Sequence, residues 1–369
     1  MIYLDAAATT PLRREVLAAM GPSLGPGFGN PASHHEVGEA ARRALEQARE
    51  EVATHLGGRA DEITFTSGGT ESDNLAVKGI ALATPRGRHV VVAATEHAAV
   101  LESAQWLARL GHEVTVVPVD ADGVLAPAAL AAALREDTTL VSVHHANNEI
   151  GTVQPIAELA AVAARRGVPL HTDAVQSAPW LDLDVDVLGV AALSLSAHKL
   201  GGPKGVGALW VRRGVRVEPL VHGGGQQAGR RSGTENVAGA VGLAAALRTA
   251  PRARAQEVAA RRDRFVERVL ATVPGARLTG HPTERLPGHA SFVVPGRSGE
   301  SLLLDLERRG VVCSSGSACA AGNDEPSHVL LALGLAPEVA QTALRFTFGA
   351  EVGDDDLTRA AQALADAAR

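Results

Sequence analysis

A strand, a glycine turn and the start of a helix follow one another in Ile63-Thr64-Phe65-Thr66-Ser67-Gly68-Gly69-Thr70-Glu71-Ser72. The β-branched and aromatic run predicts a buried strand, and the two glycines predict a tight turn into a helix. Free backbone N–H groups at a helix N-terminus favour a phosphate group. Because Ser and Thr are also ordinary N-caps, this motif alone leaves both a phosphate site and a simple cap open.

The same alternation of strand and helix patterns continues along the chain on both sides of this stretch. Helical periodicity indicates helices at 37–56, 75–82, 100–110, 128–134 and 156–165, and apolar runs indicate strands at 63–66, 90–93, 114–117, 140–143, 168–172, 193–196 and 206–211. Strands that are apolar throughout and separated by helices predict an α/β fold with a mostly parallel sheet covered on both faces. We expect functional side chains where these strands end.

The pattern changes near Pro251. A charged helix at 254–270 leads into further strands and helices, including an alternating strand at 343–348 and a last helix at 356–368. We therefore expect a large domain over 12–250 and a smaller α+β domain formed by 1–11 and 251–369, which would carry a cysteine loop at about 314–327.

Composition excludes several classes of protein. The 369 residues are 46% hydrophobic and 21% charged, which excludes a disordered chain. Aromatic residues make up 3%, so we expect a core of Ala, Val and Leu, and the net charge of −6 argues against a nucleic-acid surface. Two cysteines are too few for a disulfide scaffold. The first five residues lack a signal-peptide pattern and no run of ~18 apolar residues occurs, so we expect a cytoplasmic protein without a membrane span.

Two ionisable residues lie at predicted strand ends. Asp173 follows an apolar strand, where its carboxylate could hold a protonated ring nitrogen or merely cap the next turn. Lys199 ends the run from Ser194, and a lysine in a partly desolvated site can form a Schiff base with an aldehyde. A surface lysine is the alternative, and Lys204 is a nearby competitor for the role, whereas Lys78 lies within a helix.

Pyridoxal phosphate requires a cradle for its phosphate, a carboxylate for its ring nitrogen and an amine for its aldehyde. The sequence offers these three groups at Thr70, Asp173 and Lys199. His97 also follows a strand and could stack on the cofactor ring and move protons. The histidines offer no zinc-type spacing, and adjacent histidines on a strand face opposite ways, so we expect no intrinsic metal site.

The two cysteines differ in their surroundings. Cys319 lies among small polar residues, which predicts a mobile, exposed loop and a candidate nucleophile. Cys313 follows Val311 and Val312 and is expected to end a strand.

The motifs resemble, in order and spacing, those of cysteine desulfurases of the NifS/IscS type, within the class V, fold-type I pyridoxal-phosphate aminotransferase superfamily. The resemblance runs from an N-terminal motif at residues 3–11 to Leu344-Arg345-Phe346. Its most specific part is Ser314-Ser315-Gly316-Ser317-Ala318-Cys319 followed by Glu325-Pro326-Ser327. The other matching segments are Gly29-Asn30-Pro31, 66–74, His97, 147–151, 173–176, 196–199 and Arg231-Ser232-Gly233-Thr234.

The resemblance implies a role for each matching residue. Lys199 would bond covalently to the cofactor, Asp173 would pair with its ring nitrogen, Gln176 with its phenolic oxygen, and His97 would stack on the ring. The phosphate would be held by Gly69, Thr70, Ser196 and His198, and Thr234 would reach the phosphate of a neighbouring subunit, which implies a homodimer. Asn148, at the cofactor, and Arg345 would bind the substrate carboxylate, with Asn30 nearby. Cys319 would accept the sulfur, and a transferred iron–sulfur cluster could lie near it.

The implied activity is removal of sulfur from L-cysteine, which gives L-alanine and a persulfide on Cys319. The implied acceptors are an iron–sulfur scaffold or a tRNA-thiolation protein, with no direct nucleic-acid or membrane contact. The spacer between Cys319 and Glu325 resembles that of the group with a long cysteine loop. Alternatives are another aminotransferase or a selenocysteine lyase of the same fold, and a non-catalytic sulfur carrier or scaffold subunit.

Overall fold

The structure is a computed structural model that describes residues 1–315 and 326–369. Its strands are β1 (Ile2–Tyr3), β2 (Ile63–Thr66), β3 (His89–Ala93), β4 (Glu113–Val117), β5 (Thr138–Ser142), β6 (Leu170–Asp173), β7 (Ala192–Ser196), β8 (Gly207–Val211), β9 (Arg277–Leu278), β10 (His289–Val293), β11 (Val311–Val312), β12 (Ser314–Ser315) and β13 (Ala343–Thr347). Its helices are α1 (Arg14–Leu24), α2 (Glu36–His55), α3 (Gly69–Ala83), α4 (Ala98–Arg109), α5 (Pro127–Ala133), α6 (Ile156–Arg165), α7 (Val185–Leu188), α8 (Val237–Arg248), α9 (Ala255–Thr272), α10 (Gly299–Arg308), α11 (His328–Ala332), α12 (Pro337–Ala340) and α13 (Asp354–Ala367).

The main sheet has the strand order β2-β8-β7-β6-β5-β3-β4. Strands β7, β6, β5, β3 and β4 pair in parallel, and β8 is antiparallel to both β2 and β7. The sheet is therefore mostly parallel, as the apolar runs predict. The carboxyl ends of its parallel strands meet at one edge, where the site described below is found.

Burial explains why these runs form strands. Every residue of β3, β5, β6, β7 and β8 is buried, as expected for a sheet covered by helices on both faces. The two clusters of apolar residues beside this sheet consist mainly of Ala, Val, Leu and Ile, in agreement with the composition. No helix in residues 1–315 and 326–369 is long and apolar enough to cross a membrane.

A second, four-stranded sheet has the order β12-β13-β10-β9, and β1 pairs in parallel with β11. Its core differs from the expectation of an Ala, Val and Leu core, because Phe265, Phe292 and Phe346 pack edge to face with ring centroids 5.3–6.1 Å apart. Ile2 and Leu4 are buried in the same cluster, so the first strand packs against the C-terminal third of the chain.

The segment after β1 crosses to the end of β7. The Oγ of Thr10 donates to the carbonyl of His198 at 2.7 Å and accepts from the N–H of Gly201 at 2.8 Å. The hydroxyl of Tyr3 donates to the carbonyl of Thr9 at 2.8 Å, which fixes the bend in this segment. Residues 5–10 are thereby held against the turn that carries Lys199.

Candidate active site

A cavity of about 280 Å³ lies at the carboxyl ends of β5, β6 and β7. The residues predicted from the sequence that line it are Gly69, Thr70, His97, Asn148, Asp173, Gln176, Ser196, His198, Lys199 and Arg345. The sequence did not single out its other lining residues, which are Ala7, Ala8, Asp73, His144, Ala146 and Val175. The fold thus brings residues that are distant in sequence into one small polar cavity.

Lys199 ends a short 3₁₀ turn directly after β7. Its Nζ donates to the carbonyls of Ala7 and, at 2.7 Å, Ala8. The Nε2 of Gln176 also donates to the carbonyl of Ala7, at 3.0 Å. Backbone carbonyls of the N-terminal segment therefore hold the amine at the cavity wall, where an aldehyde ligand would meet it.

Asp173 is the last residue of β6, and one of its carboxylate oxygens accepts from the N–H of Val175 at 2.9 Å. Asp73, on α3, lines the same cavity and is fully buried. Burial, with the nearby charge of Asp173, raises the pKa of Asp73 well above its usual range. Burial therefore favours the neutral form of the Asp73 carboxyl group.

The opposite end of the cavity suits a phosphate. Helix α3 begins there at Gly69 with no side-chain N-cap, so its first N–H groups are available to a ligand. A Cβ on Gly69 would lie 2.8 Å from a methyl of Val175, so only glycine leaves this cradle open. Burial and the neighbouring Lys199 lower the pKa of His198 to about 4, which keeps that imidazole neutral beside Ser196.

His97 is the N-cap of α4, and its Nδ1 accepts from the N–H of Ala99 at 3.1 Å. This bond places the proton of the neutral ring on Nε2, so the ring has one defined tautomer. His97 lines the cavity and is partly exposed, which leaves it in a position to exchange protons with a ligand.

Arg345 lies in β13 and is almost fully buried at the cavity. Its Nη2 donates to the carboxylate of Asp5 at 2.8 Å, and its Nη1 donates to the carbonyl of Asn148 at 3.1 Å. Its Nε is buried and has no hydrogen-bond partner in the described part of the chain. These two bonds use two of the five N–H donors of the guanidinium, so the group is held in place and still has donors for a ligand carboxylate.

These groups fit pyridoxal phosphate. The uncapped helix and the Gly69 cradle suit its phosphate, the Asp173 carboxylate suits a protonated ring nitrogen, and the Lys199 amine suits its aldehyde. Residues 1–315 and 326–369 contain no group of three or more histidine, cysteine or acidic side chains placed to hold a metal ion.

Three predicted residues are not among the side chains that line this cavity. Asn30 is exposed, and its side-chain oxygen accepts from the N–H of Ala32 at 2.9 Å. Thr234 is exposed beside a separate cavity of about 140 Å³. Cys319 lies outside the described residues, as does most of the predicted 314–327 loop. Cys313 is a free, buried thiol, and burial raises its pKa to about 12.

Four residues at the site escaped the sequence reasoning. Ala7 acts through its carbonyl, and Asp5 lies in the matching N-terminal motif without an assigned role. Asp73 lies in helix α3, inside the matching segment 66–74, without an assigned role. His144 is one of two adjacent histidines whose spacing does not indicate a zinc site, so the sequence assigns it no role.

Comparison with known proteins gives one consistent result. The sequence profile of the family described as aminotransferase class-V matches residues 2–359. The chain is 47% identical over 360 residues to a cysteine desulfurase IscS of Dictyoglomus turgidum, covering 96% of this chain and 91% of that protein. The solved structure of a NifS-like protein matches with a TM-score of 0.91 and 35% identity over 99% of this chain and 98% of its own. A structure described as SspA in complex with cysteine matches with a TM-score of 0.84 and 37% identity, over 94% and 99%.

Proposed function

The chain belongs to the aminotransferase class-V family, and from this we infer that it is a pyridoxal-phosphate-dependent cysteine desulfurase. It takes sulfur from L-cysteine, releases L-alanine and leaves the sulfur as a persulfide on Cys319. The observation that carries this inference is the convergence of Lys199, Asp173 and Arg345 on one cavity. Relatives named cysteine desulfurase, and a similar structure described in complex with cysteine, support the choice of substrate.

The proposed roles follow from the contacts of each side chain. When bound, pyridoxal phosphate supplies an aldehyde for the amine and a ring that draws electrons from the substrate α-carbon. Asp173 holds the ring nitrogen, and Gly69, Thr70, Ser196 and His198 hold the phosphate. Gln176, whose Nε2 donates to the carbonyl of Ala7, would hold the phenolic oxygen with the same amide group. Lys199 Nζ takes the proton from the α-carbon of cysteine.

Arg345 orients the substrate through its carboxylate, with Asn148 beside it. The Cys319 thiolate then attacks the sulfur of the substrate, so that a sulfur–sulfur bond forms as the carbon–sulfur bond breaks. The electron pair of the broken bond stays on the carbon, which takes a proton and becomes the methyl group of alanine. His97 is the proton donor of this step, because Nε2 carries the hydrogen of its neutral ring.

The test measures the products formed from cysteine and identifies the lysine that binds the cofactor. Purified protein given L-cysteine and a thiol reductant is expected to release alanine and sulfide in equal amounts. Borohydride reduction is expected to fix the cofactor to Lys199, with Lys204→Ala as the matched control that keeps this bond. Transfer of the amino group to a keto acid would instead indicate an aminotransferase, and a colourless protein without product would indicate a non-catalytic sulfur carrier. Equal preference for selenocysteine would favour a lyase of that class.

The proposal includes a homodimer in which Thr234 serves the neighbouring subunit. Leu17, Leu24 and Phe28 expose 52%, 61% and 78% of their surface on α1 and the segment after it, and a second copy would cover them. Sedimentation should therefore give a particle mass twice that of one chain, and Phe28→Asp should lower the measured mass. In dimers that combine one Lys199→Ala chain with one Thr234→Ala chain, one of the two sites should regain cofactor affinity only if Thr234 acts across the interface.

The sulfur acceptor proposed is an iron–sulfur scaffold or a tRNA-thiolation protein in the cytoplasm. A persulfide is an intermediate that needs free thiols, which a reducing compartment maintains. Capture from native lysate, combined with persulfide labelling of the captured protein, identifies the acceptor. If no captured protein carries a labelled persulfide, this result would argue against transfer of sulfur to a protein partner.

The proposed domain division is 12–250 for cofactor binding and 1–11 with 251–369 for the smaller domain. The pairing of β1 with β11 and the apolar cluster shared by Leu4 and Phe346 support it. Apart from the predicted cysteine loop at about 314–327, limited proteolysis should cut near Pro251 before it cuts within either part.

A further inference from the structure

Gln227 is a buried glutamine whose side chain joins three parts of the chain. Its Oε1 accepts from the Nη1 of Arg49, on α2, at 2.9 Å and from the backbone N–H of Phe65, in β2, at 2.9 Å. Its Nε2 donates to the carboxylate of Glu235. Two donors face the oxygen of the amide and an acceptor faces its nitrogen, so the group has one defined orientation.

The backbone at this position is strained. Gln227 and Ala228 have φ values of 52° and 55°, in the left-handed region that residues with a Cβ rarely adopt. Such a conformation persists only where the surrounding structure holds it in place. Gln227 is 7% exposed, so its hydrogen bonds are made away from water. The side chain of Gln227 therefore maintains a turn that the backbone alone would not favour.

The strained turn leads to Thr234. Glu235, which accepts from the Gln227 amide, is the next residue in the chain, and all three residues line the cavity of about 140 Å³. On the other side of Thr234, the Nε of Arg231 donates at 2.8 Å to Glu71, in the first turn of α3. Thr234 is thus an exposed residue in a segment that side-chain contacts fix to α2, β2 and α3.

The position of Thr234 suits a ligand outside its own chain. Thr234 does not line the 280 Å³ cavity of its own chain, although Arg231, three residues earlier, contacts the helix that begins at the phosphate end of that cavity. A segment that is already fixed loses little conformational freedom when it binds, so its anchor strengthens the contact it makes.

We propose that Gln227 is a positioning residue that holds Thr234 at the phosphate of the cofactor bound by the neighbouring subunit. This rests on the proposed function, in which Thr234 serves that subunit. Gln227 acts through Glu235 and the strained turn, because it does not itself line the cofactor cavity of its chain.

The first measurement is the dissociation constant of pyridoxal phosphate for the apoprotein, followed by the absorbance of the bound cofactor. Gln227→Leu keeps a similar volume but loses all three hydrogen bonds. The constant should therefore rise by roughly tenfold, as expected when a hydrogen bond to a charged group is weakened. Glu235→Ala removes only the bond to the Nε2 of Gln227 and should raise the constant by about threefold.

Gln154→Leu is the matched control. Gln154 is a buried glutamine that accepts from the N–H of Leu125 at 2.9 Å and donates to the carbonyl of Gly123 at 2.6 Å. It lines neither the cofactor cavity nor the cavity beside Thr234. This variant should lose stability but keep the affinity of the parent for the cofactor.

The second measurement determines whether Gln227 acts through Thr234 and across the interface. Gln227→Leu combined with Thr234→Ala should bind no more weakly than Thr234→Ala alone, because the contact that Gln227 positions is already lost. In dimers that combine one Lys199→Ala chain with one Gln227→Leu chain, the site that keeps its lysine receives Thr234 from a chain with an intact anchor. Its affinity should return to the parent value, whereas a merely structural role of Gln227 would weaken this site as well.

Three results would overturn the role of Gln227: a dissociation constant for Gln227→Leu within about twofold of the parent, additive effects in the double variant, or no recovery in the mixed dimer. If Gln227→Leu does not fold, Glu235→Ala decides by the same measurements. Recovery of the mixed dimer with Thr234→Ala but not with Gln227→Leu refutes only the role of Gln227. A parent protein that binds no cofactor refutes the proposed function, and the role of Gln227 with it.

Discussion

Replacement of Arg345 is the sharpest test of how the substrate is held. In the structure its guanidinium donates to Asp5 at 2.8 Å and to the carbonyl of Asn148 at 3.1 Å, while Nε has no partner in the described residues. Arg345→Lys keeps the positive charge but loses the planar fork, because an ammonium group cannot make these bonds in fixed directions. The variant should therefore bind the carboxylate of cysteine more weakly.

The size of the effect follows from the number of bonds. One lost charge-assisted hydrogen bond is worth about 1.5–3 kcal/mol, and 1.4 kcal/mol is tenfold, so the dissociation constant for cysteine should rise by roughly 10- to 150-fold. Arg345→Ala also leaves Asp5 without its cation. Because the Asp5 side chain is 18% exposed, water compensates in part, and we expect a loss of about 1–3 kcal/mol in the free energy of unfolding.

The assay titrates cysteine against the holoenzyme and follows the absorbance of the bound cofactor. A Cys319→Ser background prevents turnover, so the titration reports binding alone. Cysteamine, which lacks the carboxylate, should bind the parent and Arg345→Lys equally. Arg262→Lys is the matched control, because Arg262 is a buried arginine that donates to the carbonyl of Leu286 and does not line the cavity. It should lose stability but keep its affinity for cysteine.

Asp5→Asn separates the two partners of the guanidinium. It removes the negative charge beside Arg345 and retains an acceptor, so cysteine should bind at least as tightly as to the parent. The reasoning is refuted if Arg345→Lys and Arg345→Ala both bind cysteine within about twofold of the parent while cofactor content is unchanged. The carboxylate would then be held elsewhere and Arg345 would be structural.

Three further outcomes are expected. Cys319→Ser should keep the colour of the cofactor and cysteine binding but lose sulfur transfer. Cys313→Ser should transfer sulfur normally, because burial raises the pKa of Cys313 to about 12 and leaves little thiolate. Persulfide found by mass spectrometry mainly on Cys313 would reverse this assignment. Burial lowers the pKa of His171 from 6.5 to about 3, so its contribution to stability is complete above pH 6.5 and is lost as pH falls toward 3. Between pH 7 and pH 5 the free energy of unfolding, measured with urea, should therefore fall by about 2 kcal/mol less for His171→Asn than for the parent. An equal fall in both proteins would contradict this prediction. Asp73→Asn should keep cofactor affinity within about twofold, because the native carboxyl is already neutral, and a tenfold loss in an equilibrium titration would show that it is charged.

Regular elements could be predicted where apolar residues recur with a clear period. The predicted helix at 156–165 agrees with α6, and the predicted strand at 193–196 is one residue shorter than β7. Helix α3 begins at Gly69 and not at 75, because the turn at Gly68 already directs the chain into it. Helix α8 was missed since nearly all its residues are buried, and a helix that is apolar all round has no amphipathic period. Helix α1, which contains Pro22, was missed because it depends on packing against α8.

The site was predictable where a rare charged side chain follows an apolar strand. Lys199 and Asp173 meet that condition, and the structure brings both to one cavity. Ala7 could not be predicted, because its contribution is a carbonyl and depends on how residues 5–10 cross to β7. His144 could not be recognised without the β5–β6 register, which determines the side chain it lies beside.

The pairing of β1 with β11 has a consequence for synthesis on the ribosome. Ile2 and Tyr3 emerge first, but Val311 and Val312, their partners, follow about 300 residues later. At roughly 5–20 residues per second the nascent N-terminus waits about 15 to 60 s before it can pair. The Ala7 and Ala8 carbonyls that hold Lys199 belong to the same N-terminal segment. The lysine environment is therefore completed only near the end of translation, so a nascent chain halted before Val311 would lack it although the main sheet is already made.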